Sequence, residues 1–186
     1  MFGVAAAIVA AIPSALASAS GETLIVATTQ NPSPLLVSVG RYSLAAVLPQ
    51  DSGSNPRAPL TVSLTASNGH TQSFLLRNFG EMDVTAFTLT QAVTSLLGAA
   101  SPLTSYCAGG SANGAFQSPG VCAGGGTLTR AATGAQSANI TLSIGAGSSR
   151  EFEVVTQSPV SGKDNTVTIS VAVDASGVRS GTSTNS

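Results

Sequence analysis

The sequence predicts an all-β fold: an antiparallel β-sandwich of Ig-like or jelly-roll type, with eight or nine strands and a disulfide-stapled, Gly-rich loop. Three observations carry that expectation. Apolar and polar residues alternate with a period of two, which gives a strand one buried and one solvated face. Thr and Val, stiff at χ1 and suited to a pleated surface, supply much of the pattern. Turn residues separate the runs, as they do between the short strands of a sandwich.

The chain has 186 residues, of which 42% are hydrophobic, 8% charged and 4% aromatic. That length suits a single domain plus a removable segment. Seven Lys+Arg stand against eight Asp+Glu, for a net charge of −1. No basic face can dominate, so nucleic acid is excluded as a partner, because phosphate neutralisation needs clustered Lys and Arg. The six Arg to one Lys, with abundant Ala, carry the bias of a GC-rich coding sequence and point to a high-GC bacterium.

Taken in order, residues Val4 to Ile12 form an apolar run ended by Pro13. The run is too short to cross about 30 Å of hydrocarbon as a helix. Small residues at Ala15 and Ala17, or at Ala17 and Ala19, match the subsites of a secretory signal peptidase. Residues 1–19 are therefore expected to be a cleaved signal peptide, 20–174 the sandwich, and 175–186 a flexible tail. The membrane is expected as a partner only through the uncleaved signal segment. The tail has neither an apolar helix nor a sortase-like motif, so retention at a surface is expected to be noncovalent.

Past the signal, Leu60, Val62, Leu64 and Ala66 alternate with Thr61, Ser63 and Thr65. Ile140, Leu142 and Ile144 alternate with Thr141 and Ser143, and Val167, Ile169, Val171 and Val173 with Thr168, Ser170 and Ala172. Thr23–Thr28, Leu35–Val39, Ser43–Leu48, Ser73–Arg77, Val84–Thr90 and Glu151–Thr156 are further strand candidates. Asn68-Gly69 predicts a type I′ hairpin joining Leu60–Ser67 to His70–Arg77, since both central residues of that turn need φ > 0. A short helix is expected around Gln91–Leu97.

Between Gly98 and Gly126 the alternation lapses into Gly, Ser, Ala and Asn, and this stretch is expected to be a loop insertion. Cys107 and Cys122 lie inside it. In an exported chain two cysteines most simply form one disulfide. A metal site would need more ligands than two Cys and one His, without a Cys-x-x-Cys pair, can supply.

The residues that could carry chemistry are few. His70 is the only histidine and falls beside the Asn-Gly turn, where it is expected to be solvated. There is no Gly-x-Ser-x-Gly elbow. Glu81 with Asp83, and Glu151 with Glu153, could each present two carboxylates on one strand face, but a glycosidase also needs a second carboxylate across a cleft and stacking aromatics. They read as solvated strand-edge charge. Asp164, Asn165 and Asp174 lack the Asp-x-Asp-x-Asp-Gly spacing of a calcium loop, so no cofactor or metal is expected. With no Trp and only Tyr42 and Tyr106, sugar recognition by ring stacking is disfavoured; recognition through hydrogen bonds stays open.

One stretch carries a resemblance. Phe74-Leu75-Leu76-Arg77-Asn78-Phe79-Gly80-Glu81-Met82-Asp83-Val84, continuing to Phe87-Thr88-Leu89, is an apolar strand, an Asn-x-Gly turn, Asp-Val and a second apolar strand. It is similar to a pattern in secreted bacterial Ig-like and jelly-roll surface proteins, including TasA-like biofilm-fibre and camelysin-type proteins. The resemblance spans residues 74–89. It implies a sandwich with a cell-surface role, and no catalytic residues are carried over from it.

The expected function is that of an exported, noncatalytic structural or assembly protein at the cell surface or outside the cell, partnered by its own copies or an envelope protein. Residues Glu22–Thr29, read as unpaired, would add as a strand to a neighbour's sheet. The alternative is a secreted ligand-binding or adhesin domain using loop 98–126, and a hydrolase is a minor third.

Overall fold

The computed structural model describes residues 18–25, 38–53, 56, 58–95, 99–111, 113–157, 159–174 and 178–179. Among these there is no α-helix, and all strand pairs are antiparallel. The strands are β1 (Ser18–Ile25), β2 (Ser38–Val47), β3 (Leu60–Leu64), β4 (Thr71–Asn78), β5 (Asp83–Ser95), β6 (Pro102–Ala108), β7 (Phe116–Ser118), β8 (Val121–Cys122), β9 (Thr127–Thr133), β10 (Gln136–Ile144), β11 (Ser149–Thr156), β12 (Asn165–Val173) and β13 (Val178–Arg179). A six-stranded sheet runs β1-β2-β4-β11-β6-β9. The second sheet runs β10-β5-β12-β3, with β13 also paired to β5, and β7 with β8 makes a small ribbon. From β2 to β6 every connection changes sheet, which is closer to jelly-roll wiring than to a meander of hairpins.

The predicted alternation lines the inside of the sandwich. Val62 and Leu64 of β3, Ile140 and Ile144 of β10, and Val167, Ile169 and Val171 of β12 are buried, with Thr and Ser turned outward between them. They meet Leu44, Phe74, Leu76, Phe152 and Val154 in one core. The Phe152 ring centroid lies 5.6 Å from Phe74 and 5.2 Å from Tyr106, a tilted cluster at the centre of the six-stranded sheet. Each such side chain contributes about 1.5–3 kcal/mol through removal from water.

The motif at residues 74–89 forms the corner between β4 and β5. Asn78 is fully buried; its amide donates to the carbonyls of Met82 (2.7 Å) and Ile144 (3.1 Å), and its Oδ1 accepts from the Gly80 N–H (2.9 Å). One side chain thereby satisfies three backbone groups where the chain leaves one sheet for the other.

Several expectations are corrected. Asn68-Gly69 does not close a hairpin: β3 pairs with β12 and β4 with β11 and β2, so the segment between them is an arch across the sandwich. Ala66–Asn68 form a 3-10 turn, and the left-handed residues are Gly69 (φ 63°) and His70 (φ 55°), one position later than a type I′ turn would place them. Asn68 sets this geometry by accepting from the Thr65 N–H (3.0 Å) and donating to the Ser63 carbonyl (2.7 Å). His70 is buried, not solvated, because the arch turns it inward.

Gln91–Ser95, expected as a helix, continue β5, where Gln91 takes an inward position after Phe87 and Leu89. The loop insertion is shorter than 98–126: Pro102–Ala108 is a strand inside the six-stranded sheet, between β11 and β9. Residues Glu22–Ile25 are paired with Arg41–Ser38, not free; residues 26–29 lie outside the described residues. The 175–186 segment carries β13, whose Val178 and Arg179 face Val84 and Asp83 in register. The signal-peptide residues 1–17, including Ala17, lie outside the described residues, whereas Ala19 sits in β1 opposite Leu44.

Candidate functional site

Two surfaces hold the residues that could act, one on each sheet. On the six-stranded sheet the shortened loop, residues 109–126, is stapled where β6 ends. Cys107 and Cys122 form the expected disulfide, with 5.6 Å between Cα atoms. Within the loop, β7 and β8 meet at Pro119-Gly120; proline presets the first turn position and Gly120 (φ 71°) the left-handed second. Gly110 is required for a different reason: a Cβ there would lie 2.5 Å from the Ala123 carbonyl oxygen.

The loop is held to β11 by polar groups. The Glu151 N–H donates to the Asn113 carbonyl (3.0 Å), and the Glu151 carboxylate accepts from the Phe116 N–H (3.4 Å). The Glu153 carboxylate accepts from the Gly120 N–H (3.1 Å). The structure thus brings Glu151 and Glu153 together under the loop, and Glu153 is buried. The expectation of solvated strand-edge charge fails for this pair because β11 is an interior strand with a loop above it. Glu81 and Asp83, by contrast, are exposed.

Burial pushes the Glu153 carboxyl up; the Gly120 N–H opposes the shift and the neighbouring Glu151 charge adds to it. Between the ordinary glutamate pKa and the raised native one, the native state therefore holds more of the proton than the unfolded chain does. Stability contributed by neutral Glu153 is present below the ordinary glutamate pKa and declines as pH rises through the raised native value. Glu153→Gln keeps an acceptor for Gly120 and cannot ionise. It is expected to be more stable than the wild type at neutral pH and equal to it below about pH 3.5. Urea titrations across that range check this; equal stability at every pH would refute it.

On the second sheet, the outward positions of 61–63, 86–94, 137–143 and 166–172 are Thr, Ser, Ala or Asn, without a charge or an aromatic ring. Neighbouring strands tie these groups together: Thr61 to Thr168 (3.2 Å), Thr88 to Asn139 (2.8 Å) and Thr90 to Ser137 (2.8 Å). At one end of this face a cleft of about 310 Å³ opens, lined by Ser63, Thr65, Thr94, Ser95, Asp164, Asn165 and Thr166. Its floor is Asn165, whose amide donates to Thr156 Oγ1 (2.8 Å) and the Ala100 carbonyl (2.9 Å), and whose Oδ1 accepts from Ser95. A second cavity, also about 310 Å³, is lined largely by apolar groups, among them Ala46, Val47, Leu48, Pro59 and Leu60.

Sequence reasoning missed the cleft because its groups come from three strands and become neighbours only through register. It also missed Gln91, whose amide bonds the Pro102 and Gly134 carbonyls (3.2 and 2.7 Å) and whose carbonyl accepts from Thr104. His70 sits apart from both carboxylate pairs in sequence, and its Nδ1 is buried without a hydrogen-bond partner. Among the described residues no group of three His, Cys, Asp or Glu could hold a metal ion.

Fold and staple together define a disulfide-bonded antiparallel β-sandwich. In comparisons with models of known protein families and with curated protein sequences, the chain matches none.

Proposed function

We propose that this chain is exported and serves as a noncatalytic structural or assembly component at the cell surface or outside the cell. The observation that carries the reading is the Cys107–Cys122 bridge, which clamps a loop that buries little apolar surface of its own onto a core strand. Such a bond persists in an oxidising, extracytoplasmic compartment. The apolar run Val4–Ile12 and the small residues up to Ala19 supply a route there. Cleavage after Ala17 would leave β1 whole, whereas cleavage after Ala19 would remove its first two residues.

Assembly is supported by the sheet edges. Among the described residues β1 ends the six-stranded sheet, and an edge strand offers unpaired N–H and C=O groups to another chain. With residues 22–25 already paired to β2, β1 accepts a strand from a neighbour on its other edge. Loop 109–126 is less favoured as a recognition element, because several of its polar groups bond downward to β11. Expressed with its N-terminus in a bacterial host, the protein is expected outside the cytoplasm, with an intact mass starting at Ser18 and one disulfide formed. Light scattering and electron microscopy of that material should give multimers. Cytoplasmic retention would refute export, and a strict monomer at high concentration would refute assembly.

A further inference from the structure

We infer that the cleft at the end of the second sheet binds one unit of a neutral glycan, whose chain continues over the hydroxyl face beside it. The register makes the case. Ser63 stands opposite Thr166, and Thr166 opposite Thr94, so three hydroxyl side chains form one row across β3, β12 and β5. Strands lie about 4.8 Å apart, so the row presents three evenly spaced hydroxyls across the cleft. Among the described residues these three hydroxyls and the Asp164 carboxylate have no protein hydrogen-bond partner, although all four line the cleft. The groups beneath them are engaged: Asn165 donates both amide hydrogens, to Thr156 and the Ala100 carbonyl, and accepts from Ser95. The floor is therefore fixed, while the rim is free to bond a ligand.

The chemistry of the rim selects the ligand class. A carboxylate accepts two hydrogen bonds from a vicinal diol, and each Ser or Thr hydroxyl both donates and accepts, as a sugar hydroxyl does. The lining holds no Lys or Arg and one carboxylate, so phosphate and sulfate groups are repelled. Apolar ligands would strand the rim groups unpaired. The face beyond argues for a polymer over an isolated polyol. Thr61 with Thr168, and then Ser170, Thr90 and Ser137, repeat the row two residues further along each strand. Cross-strand hydroxyl bonds already hold their rotamers, so a docking chain orders little that is not ordered beforehand. Weak bonding at each row adds up along a polymer. The site lies on the sheet opposite loop 109–126 and is independent of strand addition at β1, so it stands or falls separately from assembly.

The test is a titration of the ¹⁵N-labelled protein with maltohexaose, cellohexaose and chitohexaose, and with inorganic phosphate as the anionic control. At least one of the three sugars is expected to shift the amides of Ser63, Thr94, Ser95 and Asp164–Thr166 saturably, and phosphate to leave them unmoved. Thr166→Val and Asp164→Asn, both at the rim and outside the core, should each weaken that sugar by roughly tenfold at an unchanged melting temperature. The inference is overturned if no sugar shifts these amides, if the shifts map to loop 109–126, or if phosphate competes. It is equally overturned if dilution alone moves them, since the face would then be covered by a second copy of the chain.

Discussion

Asn78→Ala is expected to cost about 4 kcal/mol. The substitution removes no core hydrocarbon. It strands the carbonyls of Met82 and Ile144 and the N–H of Gly80, all three served by one amide that is itself fully buried. The two bonds to the Met82 and Ile144 carbonyls are buried, and each group left unpaired there costs about 1–3 kcal/mol; the part-buried Gly80 N–H adds less. For a domain of this size the melting temperature should fall by about 10 °C. Asn78→Asp, nearly isosteric, is expected to be no better, because it keeps the acceptor for Gly80 but donates to neither carbonyl. Gly80→Ala probes the same corner through packing: its Cβ would lie 2.5 Å from the Arg41 carbonyl oxygen and 2.6 Å from the Tyr42 Cα, backbone atoms that cannot rotate away. Thr141→Val, exposed on the outer face, is the control and should change stability by less than about 0.5 kcal/mol. Thermal and urea denaturation measure all four. A loss for Asn78→Ala no greater than the control's would mean that the corner does not hold the two sheets together.

The same corner illustrates what a sequence can reveal. The motif around Asn78-Phe79-Gly80 is legible as strand, turn and strand because turn chemistry is local. That the turn joins two sheets is not local, since it depends on Asn78 reaching Ile144, 66 residues away. Asn68-Gly69 failed for the same reason. Its dipeptide specifies a reversal, but the partners of β3 and β4 are chosen elsewhere, so the reversal became an arch. Strands exposed on one face, such as β3, β10 and β12, kept a clean period of two and were readable. Strand β6 lost that period because it is covered on both sides: Leu103, Thr104, Ser105 and Cys107 are all buried, with the polar Thr104 satisfied by Gln91. A strand whose outer face lies under a loop looks, in sequence, like the loop itself. Glu153 was misread by the same rule, for its burial is created by Gly120, 33 residues earlier. The candidate glycan cleft was invisible for a related reason. Ser63, Thr94 and Thr166 are each an ordinary outward hydroxyl, and only the pairing of three strands makes them a row.

Cys107→Ala with Cys122→Ala is expected to cost about 3 kcal/mol, the chain-entropy value for closing a loop of 15 residues. Alanine is the better probe than serine, because Cys107 is buried and a hydroxyl there would need a new partner. The size of the loss alone would not show what the staple does, since any constraint on the unfolded chain gives a similar figure. Glu153 supplies the second readout. Its carboxyl is pushed up chiefly by burial, and the loop that reaches it through the Gly120 N–H covers it. If the disulfide is what keeps residues 109–126 seated on β11, then removing it hydrates Glu153 and brings its pKa back toward the ordinary carboxylate value. Consequently the gain from Glu153→Gln at neutral pH should shrink or vanish in the alanine pair, although it is present in the bridged protein. The four proteins form a double-mutant cycle, and its coupling energy at neutral pH reports loop docking free of the entropic cost, which cancels between parallel edges. The same cycle below about pH 3.5 should show no coupling, because Glu153 is then neutral whether or not the loop is seated. A coupling of zero at both pH values would mean that the contacts of Glu151 and Glu153, with the Arg150 guanidinium donating to the Ser111 carbonyl (3.4 Å), seat the loop without the bridge. The disulfide would then act on the unfolded chain alone.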